Sequence, residues 1–354
     1  MVAVMLRRCG LLVACVLFSA VAAGFTQQPD QIANTRQAFL KLIDRPRVPL
    51  NPSVDKRSVS EGLVTELISF ATQAGDRVPT LLLKQETATR AAPAVIVLHG
   101  TGGSKEGMMP RLRALASRGF VAVAIDGRYH GERAKGSAGN GSSYQLAILQ
   151  AYRTRAEHPF LYDTAWDVMR LVDYLETRDD IDRNRIGLTG ISKGGMETYL
   201  AAAADTRIAA AVPLIGVQSF RWALDHGAWD SRAWTLRDAI DGAAHDAGES
   251  AGASFMRKFY DRVAPGVYGD FDGPAMLPLI APRPLLVING DSDPRTPVAG
   301  VRQCIDAAQH AYEARGAADR LAFYLQPNAG HEVTPEADRR MVEWFERWLK
   351  RSNG

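Results

Sequence analysis

The chain has 354 residues, a formal net charge of +3 and three cysteines, and 46% of its residues are hydrophobic. This length is sufficient for one large α/β domain, so the sequence does not require a second core. The charge is too close to neutral to indicate nucleic acid as a partner. We also expect no metal or other cofactor, because the sequence contains no His-Glu-x-x-His, paired-cysteine or calcium-loop pattern.

The first 24 residues have the pattern of a secretory signal peptide. Arg7 and Arg8 form a positive n-region, Leu11 to Phe18 form an apolar h-region, and small residues that can be cleaved follow. The apolar run is shorter than the roughly 20 residues that span a bilayer. We therefore expect a domain of residues 25–354 that is periplasmic or secreted, with no transmembrane span once the signal is removed.

A lipoprotein interpretation of the same segment stays open. The sequence Leu12-Val13-Ala14-Cys15 resembles a lipoprotein cleavage box, and Cys15 would then carry the anchor. Ordinary signal cleavage instead lowers the formal charge to +1 and leaves Cys304 as the only cysteine. In that case the exported domain has no internal disulfide, and its stability comes from its core.

The segment after the signal is a polar, proline-punctuated lead-in of residues 27–58 with one amphipathic stretch, Arg36 to Ile43. Two β-like runs follow, Gly62 to Thr72 and Val78 to Lys84, and a short glycine-containing connection separates them. This pattern predicts a hairpin. We expect the hairpin to form an antiparallel edge of the main sheet.

From Pro93 onward, apolar strands alternate with helical stretches. The predicted strands are Ala94–Leu98, Val121–Ile125, Arg185–Leu188, Ile208–Leu214, Leu285–Ile288 and Leu321–Tyr324. Such alternation predicts an α/β fold with a mostly parallel central sheet and helices on both faces. Thr164–Glu176 and Pro335–Lys350 have the apolar spacing of helices that pack on such a sheet.

Residues 217–275 interrupt this alternation, and we call them the insert. Its aromatic residues include Phe220, Trp222, Trp229, Trp234, Phe255 and Tyr260. We expect the insert to lie over the carboxyl edge of the sheet and the active site as a cap. Its aromatic residues form either a small core of their own or the wall of a ligand pocket, and the sequence leaves both open.

A Gly-x-Ser-x-Gly pattern centred on Ser192 lies between an apolar run and a helix-compatible run. A sharp strand-to-helix turn exposes a serine nucleophile there. The pattern occurs again at Gly248–Gly252, but no strand-like run precedes that copy. We therefore expect Ser192 to be the nucleophile of a hydrolase and Ser250 to be a loop or cap residue.

The loop that begins at His99 is rich in glycine and follows a strand. A phosphate-binding loop is not favoured, because Lys105 follows Ser104 and no hydroxyl residue comes after it. Exposed backbone N–H groups on such a loop suit an oxyanion hole. We expect Thr101 to supply one N–H group and Lys193 the other.

Two loops after later strands carry the remaining groups of a catalytic triad. Asp293 is the favoured acid, since Pro294 and Pro297 stiffen its loop, and Asp291 stays an alternative. His331 is the favoured base because it alone follows the last predicted strand. The competing histidines are His99, His130, His158, His226, His245 and His310.

The order Ser192, Asp293, His331, with His99-Gly100 upstream, resembles the α/β-hydrolase superfamily over nearly all of the mature chain. Three segments are similar to its dienelactone hydrolase, acetyl xylan esterase and prolyl-oligopeptidase-like branch, namely His99–Glu106, Asp126–Glu132 and Gly190–Gly195. This resemblance implies that Ser192 attacks, His331 relays the proton, Asp293 orients His331, and the Thr101 and Lys193 N–H groups hold the oxyanion.

These features predict an exported serine hydrolase that cleaves carboxylic esters, with a small-molecule or carbohydrate ester as substrate. A prolyl-oligopeptidase-like peptidase is one alternative, although the sequence shows no β-propeller. A catalytically silent binding protein on a hydrolase scaffold is another. We expect Tyr129, Trp222, Trp229 and Trp234 to line the pocket and the insert to favour acetyl or other short acyl groups. The sequence does not indicate an oligomeric state.

Overall fold

The computed structural model describes residues 29–87, 90–134 and 139–350. The expected signal peptide, residues 1–24, and its lipoprotein alternative at Cys15 lie outside the described residues. Within the described ranges, no helix combines the length and the apolar character needed to cross a membrane.

The described residues form a single nine-stranded sheet. Its strands are β1 (Ser53–Ser60), β2 (Leu63–Gln73), β3 (Asp76–Gln85), β4 (Ala92–Leu98), β5 (Val121–Ile125), β6 (Ile181–Ile191), β7 (Ile208–Leu214), β8 (Leu285–Gly290) and β9 (Leu321–Gln326). The strand order is β1-β2-β3-β5-β4-β6-β7-β8-β9. Strands β4 to β9 are mutually parallel, and β1, β2 and β3 add an antiparallel edge.

Helices connect these strands. They are α1 (Pro29–Ile43), α2 (Met109–Ser117), α3 (Gly139–Thr154), α4 (Tyr162–Leu175), α5 (Lys193–Ala204), α6 (Phe220–Asp225), α7 (Arg237–Ala247), α8 (Ala253–Val263), α9 (Gly273–Met276), α10 (Val298–Glu313) and α11 (Pro335–Phe345). The last of these continues into a π-helical turn at Glu346–Lys350.

The central strands are buried on both faces because helices cover both sides of the sheet. Along β4, Ile96 and Leu98 join one hydrophobic core, while Val95 and Val97 join the other. This separation follows from the two-residue repeat of a strand, which sends successive side chains to opposite faces. The structure thus confirms the predicted α/β-hydrolase architecture, a mostly parallel sheet between two helical layers.

The edge strand β1 was not predicted from the sequence. Its residues after Ser53 are exposed, and it pairs with β2 alone among the described strands. A polar edge strand lacks the alternation of apolar residues that marks a half-buried strand. The amphipathic stretch before it belongs to α1, whose Ile32, Phe39 and Ile43 are buried in the core.

The insert between β7 and β8 contains α6 to α9. Its two ends meet at Asp272, whose carboxylate accepts hydrogen bonds from the Ser219 hydroxyl at 2.6 Å and from the backbone N–H groups of Phe220, Arg221 and Gly273. One buried side chain therefore caps the first helix of the insert and holds its exit against its entry.

Most aromatic side chains of the insert pack together. Phe220 and Tyr260 are almost fully buried, with ring centroids 5.5 Å apart, and Tyr260 also lies 5.5 Å from Phe160 outside the insert. Phe255 is buried in the same core. These contacts favour the small-core interpretation for the phenylalanine and tyrosine side chains.

Candidate active site

Ser192 occupies the turn between β6 and α5. Its φ is 55°, an unusual value for a residue with a side chain. The turn is possible because glycines flank it. A Cβ on Gly190 would lie 2.4 Å from the Gly194 carbonyl oxygen, and one on Gly194 would lie 2.6 Å from the Leu98 carbonyl oxygen. The chain therefore presents Ser192 on a strained strand-to-helix turn, as the glycine spacing predicts.

Three side chains from separate loops form a hydrogen-bonded relay. The Ser192 hydroxyl lies 2.7 Å from His331 Nε2, and His331 Nδ1 lies 2.7 Å from Asp293 Oδ2. Asp293 is buried, and it also accepts hydrogen bonds from the Thr296 hydroxyl at 2.6 Å and the Arg295 backbone N–H at 2.8 Å. An ionised Asp293 fixes a hydrogen on Nδ1, so Nε2 is free to accept the serine proton.

The electrostatic environment keeps His331 neutral. Burial lowers the pKa of His331 below 6.5, and the hydrogen bond that His331 donates to Asp293 opposes this effect only in part. The positive charges of Arg232 and Arg295 lower that pKa further. Burial disfavours ionised Asp293, yet the hydrogen bonds of His331 and Thr296 hold its pKa below the ordinary value. At neutral pH the relay thus pairs a carboxylate with a neutral imidazole.

The glycine-rich loop after β4 lies against Ser192. A Cβ on Gly100 would lie 3.7 Å from Ser192 Cβ. The Thr101 N–H donates to no backbone acceptor among the described residues. The Lys193 N–H belongs to the first turn of α5, where helical N–H groups have no partner within the helix. Both N–H groups are therefore available beside the serine, where an oxyanion would form.

His99 holds this loop in place. Its Nδ1–H donates to the Gly100 carbonyl at 2.8 Å, and its Nε2 accepts the Gly127 N–H at 3.0 Å. Burial, followed by the charge of Lys193, lowers the pKa of His99 to about 3. A His99 that is neutral at ordinary pH thus joins the loops after β4 and β5, a structural role that its position after a strand did not reveal.

The lysines near the site have carboxylate partners. Lys193 Nζ lies 2.7 Å from Glu197, and both side chains are buried. Lys105 Nζ lies 2.9 Å from Asp126 and also contacts Glu132. The Lys105 ammonium group is therefore occupied inside the protein, in agreement with the failure of the phosphate-loop pattern.

The alternative acid, Asp291, and the second motif serine, Ser250, are not part of the hydrogen-bonded relay. Asp291 is exposed and accepts hydrogen bonds from the backbone N–H groups of Asn328 and Ala329. Ser250 is exposed in the loop between α7 and α8. In the described structure, neither side chain hydrogen-bonds to His331.

The aromatic residues expected to line the pocket have varied surroundings. Trp234 is 77% exposed, Trp222 stacks on His226 with ring centroids 4.4 Å apart, and Trp229 packs partly buried against the core. The hydroxyl of Tyr129 donates to Glu157. Tyr129 lines two cavities of about 390 and 230 Å³, and Ser192 lines neither of them. No described hydrogen bond or ring contact joins any of these four side chains to Ser192, and their place in the substrate pocket stays a prediction.

Three residues near the candidate triad were not predicted from the sequence. Thr296 bonds to Asp293, and its spacing of three residues within one turn is a signal that could have identified it. Arg295 lies on the same loop. Arg232 comes from the insert, where neither a strand end nor a motif marks it.

Comparison with known proteins gives a family match over most of the chain. Residues 77–316 match the model of a family described as fungal glucuronyl esterase. Over 296 residues the chain is 28% identical to YitV of Bacillus subtilis, whose name carries a provisional assignment as an esterase, and the match covers 80% of this chain and 100% of YitV.

A second relative and a solved structure extend these similarities. Over 246 residues the chain is 28% identical to a 4-O-methyl-glucuronoyl methylesterase of Hypocrea jecorina. The match covers 67% of this chain and 47% of that protein. The crystal structure of acetyl xylan esterase 1 from Thermoanaerobacterium sp. has a TM-score of 0.64 at 17% identity, over 92% of this chain and 96% of that chain. The structural likeness shows a shared fold.

Proposed function

The chain belongs to the glucuronyl esterase family and is a carboxylic ester hydrolase, and from this premise we propose that Ser192, His331 and Asp293 are its catalytic triad. The observation that carries the proposal is the continuous relay from the Ser192 hydroxyl through His331 to Asp293, with 2.7 Å at each hydrogen bond. A serine becomes a nucleophile when an oriented neutral imidazole accepts its proton.

In the proposed reaction, His331 Nε2 takes the Ser192 proton while the serine oxygen attacks the ester carbonyl. The carbonyl oxygen becomes an oxyanion that the Thr101 and Lys193 N–H groups stabilise. The imidazolium then gives its proton to the departing alcohol, and an acyl-enzyme remains. Water, activated by the same imidazole, releases the carboxylic acid and restores Ser192. Asp293 fixes the imidazole tautomer throughout.

The substrate is proposed at a finer level. We favour short acyl esters, acetyl esters above all, of a small molecule or carbohydrate, and the name of the structurally similar acetyl xylan esterase supports this preference. The family match favours a second candidate, a uronate methyl ester, because the Hypocrea jecorina relative is named as a 4-O-methyl-glucuronoyl methylesterase. The two candidates differ in which part of the ester is the sugar.

Labelling and substrate profiling test the function together. Wild-type protein should react with a fluorophosphonate probe and release nitrophenol from nitrophenyl acetate faster than from esters with acyl chains of about eight or more carbons. Ser192→Ala should lose both. Acetylated xylo-oligosaccharides and methyl glucuronate esters, run in parallel, distinguish the two sugar substrates.

The same experiment tests the alternatives of another class. Faster cleavage of proline-containing peptide amides than of every ester would favour the peptidase. Absence of labelling and of turnover on all substrates would favour a catalytically silent binding protein and contradict the proposal.

Export is also part of the proposed function. The basic and apolar pattern of residues 1–24 supports cleavage by a signal peptidase and a periplasmic or secreted product. Cell fractionation of the full chain, with mass spectrometry of the mature N-terminus, should find a start near residue 25. A lipid-modified Cys15 would instead establish the anchored form.

A further inference from the structure

A buried arginine of the insert, Arg232, reaches the backbone behind the Ser192 turn and forms no ion pair with a described carboxylate. Arg232 is 6% exposed, and its Nη2 donates to the Gly216 carbonyl at 3.2 Å. Gly216 packs directly behind the nucleophile turn, since a Cβ there would lie 2.6 Å from the Met196 backbone nitrogen in the first turn of α5. The Arg232 side chain thus reaches from the insert to the start of the helix that follows Ser192.

Much of the hydrogen-bonding capacity of Arg232 is unused. Its Nε is enclosed, and neither Nε nor Nη1 hydrogen-bonds to a residue in the described part of the chain. Among the described residues, three arginines are buried, and Arg128 and Arg170 form ion pairs with Asp167 and Asp173. Arg232 forms no ion pair with a described carboxylate.

A second arginine, Arg295, lies on the loop that carries the triad acid. Arg295 is half-buried, and its backbone N–H donates to Asp293 at 2.8 Å, which fixes it next to the triad acid. Its guanidinium group makes no hydrogen bond or ion pair with a described residue. We call Arg232 and Arg295 the arginine pair.

Asp293 makes no hydrogen bond or ion pair with either guanidinium group of the arginine pair in the described structure, although its charge opposes the lowering of the pKa of Arg232 by burial. Both oxygens of Asp293 are already occupied, Oδ2 by His331 and Thr296 and Oδ1 by the Arg295 backbone. Removing a guanidinium from water without a hydrogen-bonded counter-charge is unfavourable. A planar carboxylate from a bound ligand would supply that counter-charge, because its two oxygens match the donor geometry of a guanidinium.

We propose that the arginine pair recognises a carboxylate on the substrate, so that the preferred esters carry a free anionic carboxylate near the bond that is cleaved. This inference rests on the proposed hydrolase function and deepens it. The carboxylate lies either on the acyl part, as in a half-ester of a dicarboxylic acid, or on the alcohol part, as in an acetylated hydroxy acid. A uronate methyl ester has its carboxyl group blocked and lacks this feature.

Two matched pairs of esters test the proposal. The acyl pair is mono(4-nitrophenyl) succinate and its methyl-capped form, and the alcohol pair is 4-acetoxybenzoate and its methyl ester. In the wild type, kcat/KM should be about 10- to 100-fold higher for the anionic member of one pair, after subtraction of the uncatalysed rate. The pair that shows the preference identifies the part of the substrate that carries the carboxylate.

The variants are judged by the ratio of the two kcat/KM values within a pair, because the amount of folded enzyme cancels in that ratio. Arg232→Gln and Arg295→Gln should each reduce the ratio to near one, mainly through KM for the anionic ester, and Arg232→Lys should restore part of it. Arg221→Gln is the matched control. Arg221 lies in the same insert, is exposed and pairs with Asp225, so its variant should keep the wild-type ratio.

The outcomes separate the two proposals. A wild-type enzyme that cleaves the neutral esters through Ser192 but shows no anionic preference in either pair would overturn the arginine-pair proposal alone. An anionic preference that survives in both Arg232→Gln and Arg295→Gln would overturn it as well. A wild type that cleaves none of the four esters and fails to label would contradict the hydrolase function itself.

Discussion

His331 Nδ1 lies 2.7 Å from Asp293 Oδ2, although Asp291 is on the same loop and carries the same functional group. Asp291 instead caps the turn at Asn328 and Ala329. The two carboxylates therefore have separate roles. Asp293 accepts the hydrogen bond of the imidazole, and Asp291 joins the loop after β8 to the loop after β9.

The two carboxylates should respond differently to the same substitution. Asp293→Asn replaces an oxygen acceptor with an amide that can stabilise the wrong imidazole tautomer, so kcat should fall by about four powers of ten. Asp291→Asn should have a much smaller effect on kcat. Steady-state kinetics on one ester checks both variants, and a reversed ranking would make Asp291 the acid.

The two serines of the repeated motif provide a similar comparison. Ser192→Ala should abolish ester hydrolysis and fluorophosphonate labelling, because the hydroxyl that contacts His331 is removed. Ser250→Ala should leave both largely intact, since Ser250 is exposed in a loop. Equal losses in the two variants would contradict the assignment of Ser192.

The pH dependence of kcat/KM should report His331. Burial, together with the charges of Arg232 and Arg295, lowers the pKa of His331, so the neutral base persists to more acidic pH and the midpoint should lie below pH 6.5. Arg232→Gln removes one positive charge and should move the midpoint to higher pH. His331→Gln should remove the activity and, with it, the rise of kcat/KM with pH.

A different pH profile would change the assignment of the base. If His331→Gln kept an activity that rises only above about pH 9, Lys193 would be the base. The buried ion pair of Lys193 with Glu197 argues for the opposite result.

Asp272 should be a major source of stability for the insert. Asp272→Ala removes the acceptor of four hydrogen bonds, three of them from backbone N–H groups, and should lower the free energy of unfolding by about 2 to 4 kcal/mol. Asp225→Ala, which breaks only an exposed pair with Arg221, should change it by less than about 1 kcal/mol. Urea denaturation measures both, and equal changes would argue against the capping role.

The turn at Ser192 should not tolerate a larger residue at Gly194. The Cβ of Gly194→Ala would lie 2.6 Å from the Leu98 carbonyl oxygen and 2.8 Å from that of His99, so the nucleophile turn must shift. Labelling of Ser192 should fall sharply, with a stability loss of about 1 to 3 kcal/mol. Gly107→Ala adds a Cβ with no atom within 4 Å and should retain labelling.

The sequence predicted the sheet well because its central strands are apolar on both faces. Val121–Ile125 and Ile208–Leu214 have the predicted bounds, whereas β6 begins at Ile181, before its apolar run. Arg183 and Asn184, in the first half of β6, are exposed, so no hydrophobic pattern marks this part of the strand. The edge strand β1 was missed for the same physical reason.

The geometry around the candidate triad was predictable where residues follow parallel strands. Ser192, Asp293 and His331 each follow such a strand, and the carboxyl ends of these strands meet at one edge of the sheet. Arg232 lies within an insert, where tertiary packing alone brings a side chain to the site. Local pattern therefore predicts the groups proposed for the chemistry better than those proposed for recognition.

Because Asp272 holds the entry of the insert against its exit, we expect replacement of the segment between Ser219 and Asp272 to leave the central sheet unchanged. An exchange that preserves Ser219 and Asp272 would leave the strand-to-helix turn of Ser192 intact while it replaces Arg232. Such an exchange would change a residue proposed for substrate recognition without changing those proposed for the chemistry.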